Sequence, residues 1–139
     1  MKNIGLVPEL CVSDLKKTLS FYVDILGFNI LYKREERRFT YLKKESAEMM
    51  FEQIDKNHSW ITDTLQHPFG RGINFQIETS AVDYLYKIVK KNNINVFLDM
   101  EEKWYRKNNV FVGNRQFIIQ DPDGYLLRFY QNLGTRPAK

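Results

Sequence analysis

The stretch Val7-Pro8-Glu9-Leu10-Cys11-Val12-Ser13-Asp14-Leu15 decides the fold of this chain. Its first six residues alternate between two faces, which predicts a β-strand. Ser13 or Asp14 then offers a helix N-cap, and apolar residues follow at helical spacing as far as Leu26. Gly27 ends this helix as a C′ glycine does. The segment is therefore a strand followed by a helix.

Three further strands complete the first half of the chain. The mixed-charge run Lys33–Arg38 between the first two predicts an exposed hairpin end, and a turn around Lys44–Ala47 separates the last two. Residues 4–54 therefore have the order β-α-β-β-β. The three strands are predicted at Phe28–Lys33, Phe39–Lys43 and Glu48–Ile54.

The same order of elements returns after a linker at residues 55–71, whose His, Pro, Asp and Gly residues show no sustained periodicity. A helix capped by Thr79 or Ser80 and ending near Asn92-Asn93 follows the first strand. The chain thus contains two β-α-β-β-β repeats, residues 4–54 and 72–132, in one domain. The strands of the second repeat are predicted at Ile73–Ile77, Ile94–Met100, within Asn109–Gln120, and at Tyr125–Gln131.

Composition narrows the class of protein. Hydrophobic residues make up 43% of the 139 residues and charged residues 27%, which is typical of a globular protein and excludes a disordered chain. One cysteine, Cys11, excludes an internal disulfide framework and favours a reduced, cytoplasmic setting. The first residues lack the apolar run that is typical of a signal peptide. No stretch is long and apolar enough to predict a membrane-spanning segment. A net charge of +4 without a wide basic stripe argues against nucleic acid as a partner.

Two motifs in this order resemble the vicinal oxygen chelate superfamily, the glyoxalase, bleomycin-resistance and extradiol-dioxygenase group. The first runs from Val7 through Ser20-Phe21-Tyr22 to Leu26-Gly27-Phe28, and the second from Asn114-Arg115-Gln116-Phe117 to the turn Asp121-Pro122-Asp123-Gly124-Tyr125. The resemblance covers nearly the whole chain. It implies an α+β fold in which two βαβββ units form mixed sheets curved around a cleft.

The enzymes of this superfamily chelate a divalent metal with His or Glu on the cleft faces of particular strands. The resemblance assigns these positions to Val7, to Gly72, to Met49 or, with a shifted register, Glu52, and to Arg128, four residues after the turn glycine. Val7, Gly72 and Arg128 offer no usable lone pair to a cation. We therefore expect no metal at these positions, no cofactor and no catalytic residue.

A member without the metal resembles the bleomycin-resistance branch, whose proteins are dimers that bind and sequester a drug unaltered. The resemblance therefore implies a two-fold homodimer that binds a small molecule without a metal, drug sequestration being one form of this function. Because this chain is basic, we expect a neutral or anionic, partly aromatic ligand rather than a cationic drug. The alternative is a metal-dependent lyase, isomerase or dioxygenase of the same superfamily with displaced metal ligands.

Strand alternation predicts which side chains face the ligand. On the last strand Leu127 and Phe129 are expected to face the helix, so the residues between and beside them face the cleft. If Arg128 on this strand is buried in the cleft, it needs an acidic partner, and Glu9 is the expected one. The predicted ligand-binding residues are Glu9, Met49, Phe51, Asn74, Gln76, Trp104, Arg128 and Tyr130.

The linker leaves several roles open. His58 and His67 are the only histidines, and without nearby ligands they are expected to be surface residues. Trp60 is either a lid or an anchor to a partner subunit. Cys11 lies on the opening strand and is expected to be a small apolar residue rather than a nucleophile.

Overall fold

The structure, a computed structural model, describes residues 4–138 and contains the two predicted β-α-β-β-β units. The first unit ends at Phe69 and the second begins at Gly70. Each unit is a four-stranded mixed sheet with one helical segment, so the α+β class and the repeat are confirmed. Among the described residues, no helix is long and apolar enough to cross a membrane.

In the first unit the parallel pair β1 and β4 brings the opening strand beside the closing one. Sheet 1 has the strand order β1-β4-β3-β2. A 3₁₀ turn at Glu35–Arg37 forms the charged hairpin end and is exposed, as predicted. The elements are β1 Glu9–Val12, α1 Leu15–Leu19, a π-helical turn Ser20–Ile25, β2 Asn29–Arg34, β3 Phe39–Lys44 and β4 Ala47–Gln53.

The second unit repeats this topology, with β5 parallel to β8 and the strand order β5-β8-β7-β6 in sheet 2. The strands β6 and β8 run further than predicted. Both stay paired with β7 as far as Val110, which pairs with Lys107 of β6 and with Pro137 of β8. The elements are β5 Asn74–Glu78, α2 Val82–Lys91, β6 Val96–Lys107, β7 Val110–Gln120 and β8 Leu126–Pro137.

The N-terminal ends of the two helices are capped differently. Asp14 caps α1, since its Oδ1 accepts hydrogen bonds from the amides of Lys16 and Lys17 at 3.0 and 3.4 Å. In the second unit the N-cap position is Ala81, which directly follows the predicted candidates Thr79 and Ser80. The Thr79 hydroxyl accepts from the Ala81 amide at 3.3 Å and so holds the preceding turn.

The first helical segment changes from α to π geometry after Leu19. The Leu26 amide donates to the Phe21 carbonyl at 3.0 Å, an i→i−5 bond that ends the π-helical turn. Within this turn the consecutive residues Phe21 and Tyr22 are both buried. The sequence predicted one continuous helix because apolar spacing does not distinguish a π turn from an α turn. Gly27 follows at φ +83°, which fits its predicted role at the helix end.

Each sheet has one face buried under its helix, and we call the other its open face. In β4, Met49 and Phe51 are buried at 2% and 0% exposure, whereas Met50 and Glu52 on the open face are partly exposed. The ring of Phe51 lies 4.5 Å from that of Tyr22. In the second unit Leu127 and Phe129 occupy the corresponding buried places in β8.

A glutamine on the neighbouring strand fixes the start of each helix. The Leu15 amide donates to Gln53 Oε1 at 3.0 Å, and the Val82 amide donates to Gln131 Oε1 at 3.4 Å. In the first unit Glu9 pairs with Met50, and Gln53 follows Met50 by three residues. In the second unit Gln76 pairs with Arg128, and Gln131 follows Arg128 by three residues. These matching hydrogen bonds align the two repeats residue by residue.

We predict that Phe51→Ala lowers the free energy of unfolding by about 3–5 kcal/mol, because the truncation leaves a cavity beneath the helix. Met50→Ala is the matched control on the open face and is expected to cost about 1 kcal/mol or less. Chemical denaturation of both variants measures the difference. Equal losses would contradict the assignment of the two faces of β4.

Candidate functional site

The turn Asp121–Gly124 positions β8 and its open-face side chains. Asp121 Oδ1 accepts hydrogen bonds from the amides of Asp123 and Tyr125 at 3.0 and 2.9 Å, and Gly124 adopts φ +87°. Gly70 packs against this turn so closely that a Cβ there would lie 2.7 Å from the Cα of Tyr125. The buried turn therefore holds the start of β8 rigidly, four residues before Arg128.

A cavity of about 370 Å³ opens on the open face of sheet 2. Its lining combines one guanidinium, one ammonium, three amides and two phenols, so it offers hydrogen bonds and aromatic surface rather than carboxylates. Such a lining suits a planar ligand with polar edges. The lining residues are Gln76, Tyr105, Lys107, Val112, Asn114, Arg128, Tyr130 and Asn132.

Arg128 carries an unused hydrogen-bond donor in this cavity. Its Nε is buried and has no hydrogen-bond partner among residues 4–138. Leaving a buried donor unpaired costs about 1–3 kcal/mol, more for a charged group. Because Arg128 also lines the cavity, it brings a permanent positive charge with hydrogen-bond donors to this face.

Gln116 carries the complementary unused acceptor. The residue is 1% exposed, and its Nε2 donates to Glu101 Oε2 at 2.9 Å and to the Tyr105 hydroxyl at 2.6 Å. Its Oε1 is buried without a partner among the described residues. Sheet 2 therefore holds both a donor and an acceptor that its own side chains leave unpaired.

The open face of sheet 1 bears a different, mixed-charge site. A cavity of about 410 Å³ is lined by two carboxylates, two guanidiniums, a thiol, an imidazole and two aromatic rings. Arg37 forms an ion pair with Glu52 at 3.4 Å, so its charge is partly satisfied within the unit. The lining residues are Glu9, Cys11, Arg34, Arg37, Phe39, Glu52, His58 and Trp60.

Burial is the largest cause of the raised pKa values of Glu9 and Cys11 in this cavity. It raises the pKa of Glu9, and the neighbouring Glu52 carboxylate raises it further, whereas Arg34 and Arg37 act in the opposite direction. Burial and the two carboxylates also raise the pKa of Cys11. The thiol therefore stays protonated near neutral pH, which makes it a poor nucleophile.

Aromatic rings extend this face towards β2. Tyr32 stacks on Tyr41 with 5.0 Å between ring centroids, and the Arg34 guanidinium lies 4.6 Å above the Phe39 ring. The Tyr41 hydroxyl donates to Glu48 Oε1 at 2.5 Å, and this hydrogen bond is the main cause that raises the pKa of Tyr41 to about 12. The phenol therefore remains a neutral donor.

Five of the sequence-predicted ligand residues lie on an open face of their own sheet. Glu9 is on that face of sheet 1, since the next residue, Leu10, is buried under the helix. The other four are on that face of sheet 2, where they occupy alternate positions of β5 and β8: Asn74, Gln76, Arg128 and Tyr130. The expected pairing of Glu9 with Arg128 stays a prediction.

The remaining three lie elsewhere. Met49 and Phe51 face the helix of the first unit and fill its core, because the register of β4 is one residue away from the predicted one. Trp104 pairs with Gly113 on the face of β7 opposite Gln116, and Arg136 stacks on its ring at 4.1 Å. These three side chains are therefore not on the face that carries Arg128 or Glu9.

The aligned repeats also correct two of the metal-ligand positions. The residue that corresponds to Arg128 in the first unit is Met50, rather than Met49 or Glu52, because Glu9 pairs with Met50 as Gln76 pairs with Arg128. Counting back eight residues from each helix start makes Asn74, not Gly72, the counterpart of Val7.

A valine, a methionine, an amide and a guanidinium do not make the oxygen and nitrogen donor set that a catalytic divalent metal requires. Among residues 4–138, no three His, Cys, Asp or Glu side chains come close enough together to hold a metal ion.

Several residues of the two cavities were missed from the sequence. Asn114 lies on β7 and Asn132 on the extension of β8, and alternation from Arg128 would have found Asn132. Arg34 and Arg37 belong to the charged run that the sequence predicts as an exposed hairpin end, whereas Glu52 was considered only as a metal-ligand position. The linker supplies His58, which bonds Asp55 at 3.0 Å, and Trp60, which is 92% exposed, whereas His67 is exposed outside the cavity.

Comparison with known proteins agrees with this architecture. The family model of the Glyoxalase/Bleomycin resistance protein/Dioxygenase superfamily matches residues 6–129. A bleomycin resistance protein of Geobacillus stearothermophilus is 26% identical over 136 residues, covering 91% of this chain and 96% of that protein. A lactoylglutathione lyase of Haemophilus influenzae is 28% identical over 136 residues, covering 91% of each.

A solved structure shows the same fold at low sequence identity. TioX from Micromonospora sp. ML1 superposes with a TM-score of 0.72 at 17% identity, covering 94% of this chain and 100% of that one. The family match, the repeat and the buried Asp-Pro-Asp-Gly turn lead to one conclusion: this chain belongs to the glyoxalase, bleomycin resistance protein and dioxygenase superfamily.

Proposed function

We propose that the protein binds a neutral or anionic, partly aromatic small molecule on the open face of sheet 2, without a metal. One observation carries this proposal: Arg128 occupies a position where the superfamily's enzymes have a metal ligand, and its buried Nε has no partner among the described residues. A guanidinium there repels a cation and attracts a carboxylate or a carbonyl oxygen.

The rest of the lining supports a planar, polar-edged ligand. The amides of Gln76, Asn114 and Asn132 donate and accept hydrogen bonds, so they suit a neutral group as well as an anion. Tyr105 and Tyr130 supply aromatic surface. Binding would bury this aromatic surface and place a ligand acceptor beside the Arg128 guanidinium.

The similarity to bleomycin resistance proteins supports sequestration of a drug as the form that this binding takes. The distribution of charge supports a ligand other than a cation. The first unit has ten basic and ten acidic residues, whereas the second has eleven basic and seven acidic residues, so the whole net charge of +4 lies in the second unit. Anionic ligands are therefore attracted to the unit that carries Arg128.

A metal-dependent lyase is the second candidate, and the similarity to lactoylglutathione lyase favours it. The residues at the four aligned positions argue against this activity, because Val7, Met50, Asn74 and Arg128 include no carboxylate or imidazole. A lyase reaction in this chain would need a metal held elsewhere.

We further propose that the protein assembles as a two-fold homodimer. The edge strand β2 exposes three consecutive apolar side chains, Ile30, Leu31 and Tyr32, at 42–49%. Trp60 is also exposed in the linker. Exposed apolar groups of this kind favour self-association through one patch repeated on both subunits.

We predict that Arg128→Leu weakens the binding of 2-naphthoate at least about tenfold, because the anion loses a charge-assisted hydrogen bond. Isothermal titration measures the affinity, and a thermal-shift screen of small aromatic and antibiotic compounds identifies better probes. Arg71→Leu removes the same charge from an exposed position in the same unit and is expected to bind as the parent does. If Arg128→Leu binds 2-naphthoate as tightly as the parent protein does, Arg128 does not anchor the ligand.

We predict that protein purified without chelators contains no stoichiometric divalent metal, since the aligned positions offer no anionic ligand set. Elemental analysis by mass spectrometry tests this. One nickel, zinc, iron or manganese ion per chain would favour the lyase candidate instead.

We predict a sedimentation mass of about twice 16.6 kDa at micromolar concentration. The charge-insertion variant Leu31→Glu on β2 is expected to shift this mass towards the monomer. Leu6→Glu, the same substitution at a more exposed position outside the patch, is its control. A sedimentation mass near 16.6 kDa for the parent protein would contradict the proposed dimer.

A further inference from the structure

We propose that the open face of sheet 1 carries a second ligand site, which binds a zwitterionic α-amino acid with an aromatic side chain. The ammonium group of this ligand lies against Glu9 and its carboxylate against Arg34. The site is the cavity of about 410 Å³ on that face. It goes beyond the proposed function, because it belongs to the first unit and takes a ligand that carries both charges.

Two carboxylates and two guanidiniums line this cavity, and one of each is already paired. Glu52 Oε2 accepts a hydrogen bond from Arg37 at 3.4 Å, and Glu52 Oε1 accepts one from the Ser59 hydroxyl at 3.2 Å. Both oxygens of this carboxylate are therefore used within the unit, and the ion pair adds no net charge to the cavity. The charges left for a ligand are those of the other carboxylate and the other guanidinium.

The Glu9 carboxylate is the acid without a partner. It forms no hydrogen bond and no ion pair with any side chain among residues 4–138. Burial and the Glu52 charge raise its pKa, although the charges of Arg34 and Arg37 act in the opposite direction. The carboxylate therefore lacks a close cation, and a ligand ammonium group beside it would stabilise its charged form.

The Arg34 guanidinium is the cation without an acid. It lies 4.6 Å from the centroid of the Phe39 ring and 5.4 Å from that of Tyr32, so aromatic rings hold it in place. No acidic side chain among residues 4–138 forms an ion pair with it. A planar guanidinium that stacks on a ring keeps its in-plane N–H groups free to donate to a carboxylate.

Strand pairing sets the separation of these two groups. Arg34 pairs with Phe39, Phe39 with Glu52, and Glu52 with Cys11, which lies two residues beyond Glu9 on the same face of β1. Three strand spacings place β2 about 14 Å from β1, and the Arg34 side chain covers part of this distance where it lies over the Phe39 ring. The two groups do not pair directly. An α-amino acid, which carries both charges on one carbon, bridges the remaining gap.

Apolar groups complete the cavity beside the two charges. Phe39, Trp60 and the neutral Cys11 thiol all belong to the lining. Trp60 is 92% exposed, so a ligand ring that packs against it removes apolar surface from water. This surface favours an aromatic amino acid over a small polar one.

Three related probes test this inference: L-phenylalanine, 2-phenylethylamine, which lacks the carboxylate, and 3-phenylpropionate, which lacks the ammonium group. NMR titrations follow the indole N–H resonance of Trp60, assigned by its absence in Trp60→Phe, because Trp60 lines this cavity and not the cavity of sheet 2. We expect the parent protein to bind L-phenylalanine at least about tenfold more tightly than either analogue, since each analogue loses one charge-assisted interaction.

Two variants assign the two charges separately. In Glu9→Gln the preference over 3-phenylpropionate should disappear, whereas the preference over 2-phenylethylamine should remain. In Arg34→Gln the opposite should happen. Glu36→Gln and Arg38→Gln make the same changes at exposed positions outside the cavity and should keep both preferences of the parent.

Equal affinities of the three probes for the parent protein would overturn the inference, and so would preferences that persist in both variants. L-phenylalanine that leaves the Trp60 resonance in place, whether it shifts other signals or none, would also overturn it. These results leave the proposed function standing, because that function concerns Arg128 and sheet 2. The comparison of probes on the parent protein needs no variant, so a folding defect in either variant leaves it decisive.

Discussion

The hydrogen bond from the first helical amide to a glutamine on the neighbouring strand is the constraint on which each unit depends. Gln53 fixes α1 in this way and Gln131 fixes α2. With the helix in place, Phe51 and Phe129 must fill the space beneath it, and strand alternation turns Met50 and Arg128 to the opposite face. The registers of β4 and β8 thus decide which side chains lie on the open face of each sheet.

This constraint explains how the residues on the open faces can differ between proteins of this fold while the core stays the same. The buried side chains and the caps hold the sheets, whereas the open-face positions contribute little to the core and are free to change. At the aligned positions the chain has an aliphatic, a thioether, an amide and a guanidinium group. In the proposed function, Arg128 attracts a ligand acceptor at a position where the superfamily's enzymes hold a cation, and the amides around it favour a polar, planar ligand.

Much of the fold could be predicted from the sequence, because its signals are local. The Asp14 cap, the Gly27 exit and the alternation of Leu127 and Phe129 each follow from a few neighbouring residues. The site was harder to predict, since the Met49 register differs by one residue and such a slip exchanges the two faces of a strand. Gln116 was missed for another reason: its importance comes from partners 11 and 15 residues away, which only strand pairing brings together.

The central claim, that the Arg128 guanidinium anchors a ligand in the cavity of sheet 2, is tested most directly by NMR of the arginine side chains. The Nε–Hε resonance of Arg128, assigned by its absence in Arg128→Lys, is followed while 2-naphthoate is added to saturation. The account predicts that this resonance moves downfield and that its hydrogen exchange slows, as a new acceptor binds. A resonance that stays in place while other signals report binding would contradict the account.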